Sequence, residues 1–156
     1  MSPEISYRRS QVEDAKAVFE LVSASVARLA PNPYPAEVVA TWMTGRTVAD
    51  YISDCQNQEI WIAEEGREPI GFSHGVPGEV VRLFVAASQT GKGVGAGLFE
   101  RALADARVNW VGPVTIEATL NAVPFYKKFG FVEVGPSVFG GREAELPAIE
   151  TVILKG

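Results

Sequence analysis

The residues "TGKGVGAGL" place Gly91, Gly93, Gly95 and Gly97 at every second position, between the hydrophobic run Leu83, Phe84 and Val85 and a stretch of helical periodicity. Flexible residues at the start of a helix have a chemical use. A helix start presents backbone N–H groups without intrahelical partners at the positive end of the helix dipole, and together these hold phosphate. Gly93 and Gly95 put no Cβ between a diphosphate and the amides of Lys92, Gly93, Val94, Gly95 and Ala96, and Gly91 is free to take positive φ for the turn. The Lys92 side chain either adds charge there or points to water.

Two other readings of the same glycines are weaker. Glycines that only let a helix approach a sheet cost roughly 1 kcal/mol each inside a helix, so four of them need a return. Gly91, Gly93 and Ala96 also satisfy GxGxx(G/A), with Glu117 as an acidic partner, but that fingerprint belongs at the first turn of a strand-helix-strand unit, and here about half the chain precedes it. A P-loop is excluded, because it needs glycine at Ala86 and a hydroxyl residue at Gly93.

Two more residue types invite chemistry. His74 is the single histidine, able in principle to serve as a base near neutral pH, and its solitude, with no second histidine or nearby cysteine, argues against a metal site. Cys55 falls in an apolar stripe and reads as packing rather than as a nucleophile.

The chain bounds these readings. Its 156 residues, 47% hydrophobic and 21% charged, suit one domain over residues 1–156. A net charge of −5 gives no basic field for phosphate backbones, so nucleic acid is not an expected partner. No apolar run approaches the roughly 20 residues that span a bilayer, the start lacks the apolar middle of a secretory signal, and one cysteine cannot form an internal disulfide. The expectation is a cytoplasmic protein with no membrane partner.

The elements that must position these residues follow from periodicity. "ISYRR" reads as a strand; Ser10 with Glu13 forms a capping-box signature for a helix whose apolar face is Val12, Ala15, Phe19, Val22, Val26 and Leu29. Pro35 opens a second helix with Val38, Val39, Trp42 and Met43 inward and Gly45 as its stop; Thr47 with Asp50 caps a short third one carrying Val48, Tyr51, Ile52 and Cys55. "EIWIAEEGREPIGFSHGVPGEVVRLFV" holds strands joined by connections so short that neighbours must be antiparallel. After the glycines, Leu98, Phe99, Ala102, Leu103 and Ala106 mark a helix, and "PVTIEAT" marks a strand. In "NAVPFYKKFGF", Asn121 can cap a short helix that tolerates Pro124 and ends at Gly130; strands from Phe131 and from Ala148 to Leu154 follow.

This element order resembles the GNAT superfamily of N-acetyltransferases, in particular bacterial members without assigned substrates. Two motifs carry the resemblance. "TGKGVGAGL" after Leu83, Phe84 and Val85 is similar to the (Q/R)xxGx(G/A) signature, with Gly93 and Gly95 in the glycine places and Thr90 departing from the leading residue; "NAVPFYKKFGF" is similar to the family's Asn-then-FYxxxGF element. Gln89, one residue before Thr90, can compensate for the lost long side chain. The resemblance implies an α/β fold with a mixed, mostly antiparallel central sheet of about seven strands flanked by helices. It implies acetyl-CoA as cosubstrate, no metal, direct attack by a primary amine of a small molecule or peptide, and a possible homodimer.

Roles follow on that basis. Coenzyme binding falls to Leu83, Phe84, Val85, Thr90, Gly91, Lys92, Gly93, Val94, Gly95, Ala96 and Asn121. The strand edge at Leu83 and Val85 pairs with the pantetheine arm, and the Val85 amide polarises the thioester carbonyl. Tyr126 stands about 100° around its helix from Phe125, which shares the core face with Phe129; that turns it toward a flank that can meet the cleft and makes it the candidate to protonate the departing thiolate, the alternative being an amphipathic packing residue. Glu79, 14 residues before Gly93, matches the glutamate base of histone-acetylating members and by period two shares a face with Val81, Leu83 and Val85. His74 stays open as the alternative base. Tyr34, Trp42 and Trp61 either line an acceptor pocket or pack in the core. The rival function is an acyl-CoA sensor of the same fold without turnover.

Overall fold

The computed structural model describes residues 4–89, 91–139 and 149–156. Seven strands form one sheet: β1 (Ile5–Arg9), β2 (Ile60–Glu65), β3 (Glu68–Val76), β4 (Glu79–Val85), β5 (Thr115–Thr119), β6 (Val132–Phe139) and β7 (Ile149–Lys155), in the order β1-β2-β3-β4-β5-β7-β6. The short β2–β3 and β3–β4 turns enforce antiparallel pairing, as their length requires; β4 and β5, joined through a helix, are parallel. That parallel pair is brief. Only Glu79 with Thr115 and Val80 with Ile116 are in register, so the two strands diverge beyond them and the sheet opens into a V.

One face of the sheet is covered by α1 (Ala15–Ala27), α2 (Ala36–Trp42) and α3 (Ile52–Gln56), the other by α4 (Val94–Ala106) and α5 (Val123–Lys127). Alternation along β2 divides the two cores: Ile60 and Ile62 join α1 and α3, whereas Trp61 and Ala63 join α4. Cys55 lies fully buried in the first core, where burial pushes its thiol up to about 11, so it packs and does not react.

Helix α1 begins differently from the sequence expectation. The capping box is formed by Gln11 and Asp14, not by Ser10 and Glu13: the Gln11 amide donates to Asp14 Oδ2 at 2.7 Å. Ser10 is instead buried, its hydroxyl donating to the Cys55 carbonyl. The choice is decided by Arg8, whose guanidinium grips Asp14 through two hydrogen bonds of 2.7 and 2.8 Å. The apolar stripe shifts accordingly, to Ala15, Val18, Val22 and Val26, and leaves Val12 exposed. At the third helix the capping box of Thr47 and Asp50 forms as expected.

The Arg8 hydrogen bonds, ahead of the Gln11 amide, hold the Asp14 carboxyl below its ordinary value. A group depressed in the folded state contributes stability above its unfolded pKa, and loses it as pH falls through the folded pKa. Urea midpoints should therefore decline below about pH 4, and Asp14→Asn should flatten that limb while costing about 1–2 kcal/mol at neutral pH, the value being limited by the partial exposure of Arg8.

Glycine is also required where α4 lies against the sheet. A Cβ at Gly75 would stand 2.0 Å from the Ala102 carbonyl oxygen, and one at Gly97 would stand 2.2 Å from the Tyr7 hydroxyl. Backbone cannot swing aside as a side chain can. Gly75→Ala is expected to cost about 1–3 kcal/mol or more, read as a lower thermal midpoint, with Gly97→Ala milder because Tyr7 can rotate.

Candidate active site

The diverging ends of β4 and β5 enclose a cleft of about 600 Å³. Glu79 and Val80, the residues still paired to β5, lie at its apex, and Leu83, Ala118, Thr119 and Tyr126 line it further out. The backbone of β4 is available there for a definable reason. The Ala86 amide donates to Ile70 of β3 at 2.8 Å, and in an antiparallel ladder the donors alternate. The amides of Phe84 and Ala86 thus face β3, and those of Leu83 and Val85 face the opening. The Val85 carbonyl confirms that direction, since it accepts a hydrogen bond from Arg28 Nη2 at 3.1 Å. Phe84 lines the cleft through its side chain, stacked on Phe72, while its amide belongs to the sheet.

The open edge leads directly to the glycine turn. Gly91 and Gly93 have φ of +82° and +81°, a conformation that disfavours any side chain, and a Cβ on either would meet nothing within 4 Å. Gly93 is the N-cap of α4. The Gly97 amide already bonds the Gly93 carbonyl, which leaves the amides of Val94, Gly95 and Ala96 without a backbone partner among the described residues; the Lys92 amide turns back to Gln89. The four glycines divide their tasks. Gly91 and Gly93 shape an open turn, whereas Gly95, where a Cβ would stand 3.4 Å from the Phe125 ring, and Gly97, against Tyr7, serve close packing. Thr90 lies outside the described residues. Gln89 is buried and its amide nitrogen lies 3.4 Å from Glu65 of β2, so it ties the turn down to the sheet.

Tyr126 differs in placement from its expectation. It is more buried than Phe125 or Phe129, all three rings gathering around Phe99, with Tyr126 at 5.4 Å from it. Its ring still lines the cleft, and burial pushes the phenol well above its ordinary value. Glu79 is exposed at the apex but does not share a face with Leu83 and Val85. His74 pairs with Arg82 and Gly75 with Val80, so Val81 is an extra residue on β4 that resets the alternation. Val80 therefore joins Leu83 in the α4 core, and Glu79 turns to the side of Arg82.

Asn121 is not a cap. It lies exposed within the 3₁₀ turn Leu120–Ala122, where Thr119 holds the N-cap position and Ala122 caps α5. His74 does not line the cleft; it is buried, with Nε2 3.3 Å from Glu59 Oε1 and Nδ1 3.9 Å from Asp54 Oδ2. Of the aromatic residues, Tyr34 is core, donating to the Glu150 carbonyl and accepting from the Leu120 amide, and Trp42 packs edge-on against it while lining the cleft. Trp61 lies in the α4 core with its indole N–H on Asp105, so it is no acceptor residue.

The cleft also holds charged residues that sequence reasoning did not place there: Arg46, Asp50, Arg82 and Glu117, the last accepting a 2.7 Å hydrogen bond from Thr151. Alternation in "TIEAT" was the available signal for Glu117, whose neighbours Ile116 and Ala118 are buried. No local pattern marks Arg46 or Arg82.

The acetyltransferase (GNAT) domain model matches residues 27–141, the greater part of the chain. The chain belongs to the GNAT acetyltransferase family. Its relatives are distant: the uncharacterized N-acetyltransferase YafP of Escherichia coli (strain K12) is 22% identical over 130 residues, 83% of each chain. A GCN5-related N-acetyltransferase from Rhodopseudomonas palustris shares the fold at a TM-score of 0.81 with 20% identity, covering 99% of this chain and 96% of that one. YncA of Salmonella typhimurium, a putative acetyltransferase with its cofactor acetyl-CoA, superposes at a TM-score of 0.68 with 15% identity, covering 97% and 92%. As a GNAT protein it belongs with the acetyltransferases, and among its described residues no helix is long and apolar enough to cross a membrane.

Proposed function

We propose that this GNAT protein transfers an acetyl group from acetyl-CoA to a primary amine by direct attack within a ternary complex. The observation that carries the reading is the continuity of the open β4 edge with the open glycine turn at the start of α4, one track suited to an extended amide arm ending in a diphosphate. The outward amides of Leu83 and Val85 pair with the arm, and that of Val85 donates to the thioester oxygen as charge develops on it. The diphosphate docks on Val94, Gly95 and Ala96. The amine nitrogen attacks the thioester carbon, the C–S bond breaks, and Tyr126 donates a proton to the sulfur. Glu79 removes the amine proton through a bridging water, since its side chain stands at the apex and off the Leu83 face.

Thermal unfolding with acetyl-CoA, against NAD as control, tests the site. At about 100 times Kd a ligand adds roughly 2.7 kcal/mol, and each kcal/mol raises Tm by about 2–4 °C at this size. A rise of several degrees with acetyl-CoA and none with NAD is expected; no rise, or one with NAD, overturns the coenzyme assignment. Release of free thiol across an amine panel then separates an enzyme from a coenzyme sensor, which would show the thermal shift and no turnover.

A further inference from the structure

Outside the acyl-transfer cleft, on the α3 face of the sheet, three side chains from separate elements converge. His74 comes from β3, Asp54 from α3 and Glu59 from the connection into β2, and one ligand atom of each lies within 4.8 Å of the others. None of the three lines the cleft. The imidazole is 5% exposed, and its Nδ1 finds no hydrogen-bond partner among the described residues. If Nε2 carries the proton and donates to Glu59, Nδ1 is a bare lone pair buried 3.9 Å from a carboxylate oxygen. A buried ring nitrogen without a partner is costly, and a cation bound to it beside the Asp54 carboxylate would satisfy it.

We propose that Asp54, Glu59 and His74 form a binding site for a divalent first-row transition ion of the zinc class. Two oxygens and one imidazole nitrogen make a mixed donor set that zinc accepts with a fourth position left to water, whereas calcium and magnesium select oxygen alone. Ligands at about 2.0–2.1 Å on a tetrahedral ion stand roughly 3.4 Å apart. The Asp54 Oδ2–His74 Nδ1 separation of 3.9 Å closes to that by a small rotamer change, and Glu59, now 3.3 Å from Nε2 at the other ring nitrogen, swings its carboxylate to the ion within the same 4.8 Å cluster. Side-chain exposures of 28% for Asp54 and 37% for Glu59 give the ion a path from solvent. Arg82, whose Nη1 lies 3.4 Å from Asp54 Oδ2, is the resident competing cation; it also stacks 5.1 Å from the Tyr51 ring and lines the cleft. An ion at Asp54 therefore releases Arg82 toward the acyl-transfer cleft.

The test is titration of chelator-treated, untagged full-length protein with Zn²⁺, followed by calorimetry, with Co²⁺ as a spectroscopic probe and Mg²⁺ as control. One Zn²⁺ per chain is expected, along with visible Co²⁺ absorption bands. Glu59→Gln and Asp54→Asn should each weaken Zn²⁺ by about tenfold or more, and His74→Gln should abolish the Co²⁺ bands. Arg82→Gln should tighten binding, because it removes the competing charge. Equal affinity for Mg²⁺ and Zn²⁺, absence of saturable binding, or Zn²⁺ affinity unchanged in Glu59→Gln would overturn the site. Should His74→Gln fail to fold, the half-exposed Glu59 and Asp54 variants decide the matter.

Discussion

Tyr126→Phe is expected to lower kcat for acetyl transfer by about 10²–10⁴-fold while leaving the affinity for acetyl-CoA and the thermal midpoint unchanged. The substitution removes one oxygen and keeps the ring, so the packing against Phe99 and Phe125, at 5.4 and 5.3 Å, persists. Burial raises the phenol above its ordinary value near 10, so it stays protonated over the working range and sets no limb of the pH profile below about pH 9. A weaker acid is still a fitting donor here. The departing thiolate forms in the same water-poor cleft, where desolvation raises its basicity too, and an O–H aimed at sulfur stabilises it as the C–S bond lengthens. Steady-state kinetics beside coenzyme binding separate the outcomes: full transfer by the variant would remove the acid role from Tyr126, and a loss confined to KM would make it a binding residue.

Gly93→Val should have the largest effect on coenzyme affinity. At φ +81° a side chain pays about 1–2 kcal/mol for the left-handed backbone, more when β-branched, and the new methyl groups project into the open space above the first turn of α4. Displacing one charge-assisted hydrogen bond to a phosphate costs about 1.5–3 kcal/mol, so the coenzyme Kd should rise roughly 10–150-fold. Gly112→Ala is the matched control. Its φ of +112° is also unfavourable and its surroundings are open, but it lies in the connection between α4 and β5. It should lower the thermal midpoint without touching coenzyme affinity. Equal effects of the two variants on Kd would show that Gly93 acts through stability alone and would remove the diphosphate from this turn.

Much of the architecture was legible because it is written locally. The three-strand meander follows from short turns, and the Thr47–Asp50 box from a spacing of three residues. The stop at Gly130 follows from glycine's tolerance of a φ of +86°. At the start of α1 the local signal is overridden. Ser10 with Glu13 carries the capping signature, but the bidentate grip of Arg8 on Asp14 and the burial of Ser10 move the box to Gln11 and Asp14. The Val81 bulge is invisible to period two, which assigns Glu79 to the wrong side of β4. His74 looked solitary because carboxylates 15 and 20 residues before it in the chain carry no spacing signature of a site.

By itself, then, the sequence determined the elements, their capping at the third helix, the open glycine turn and the family, since each depends on residues within one turn or one strand of each other. The divergence of β4 from β5, the aim of the Leu83 and Val85 amides into it, and the convergence of Asp54, Glu59 and His74 were decided by tertiary structure. Each is a relation between segments far apart along the chain. It is set by how two packed cores, one under α1 and α3 and one under α4 and α5, hold the two faces of a single twisted sheet.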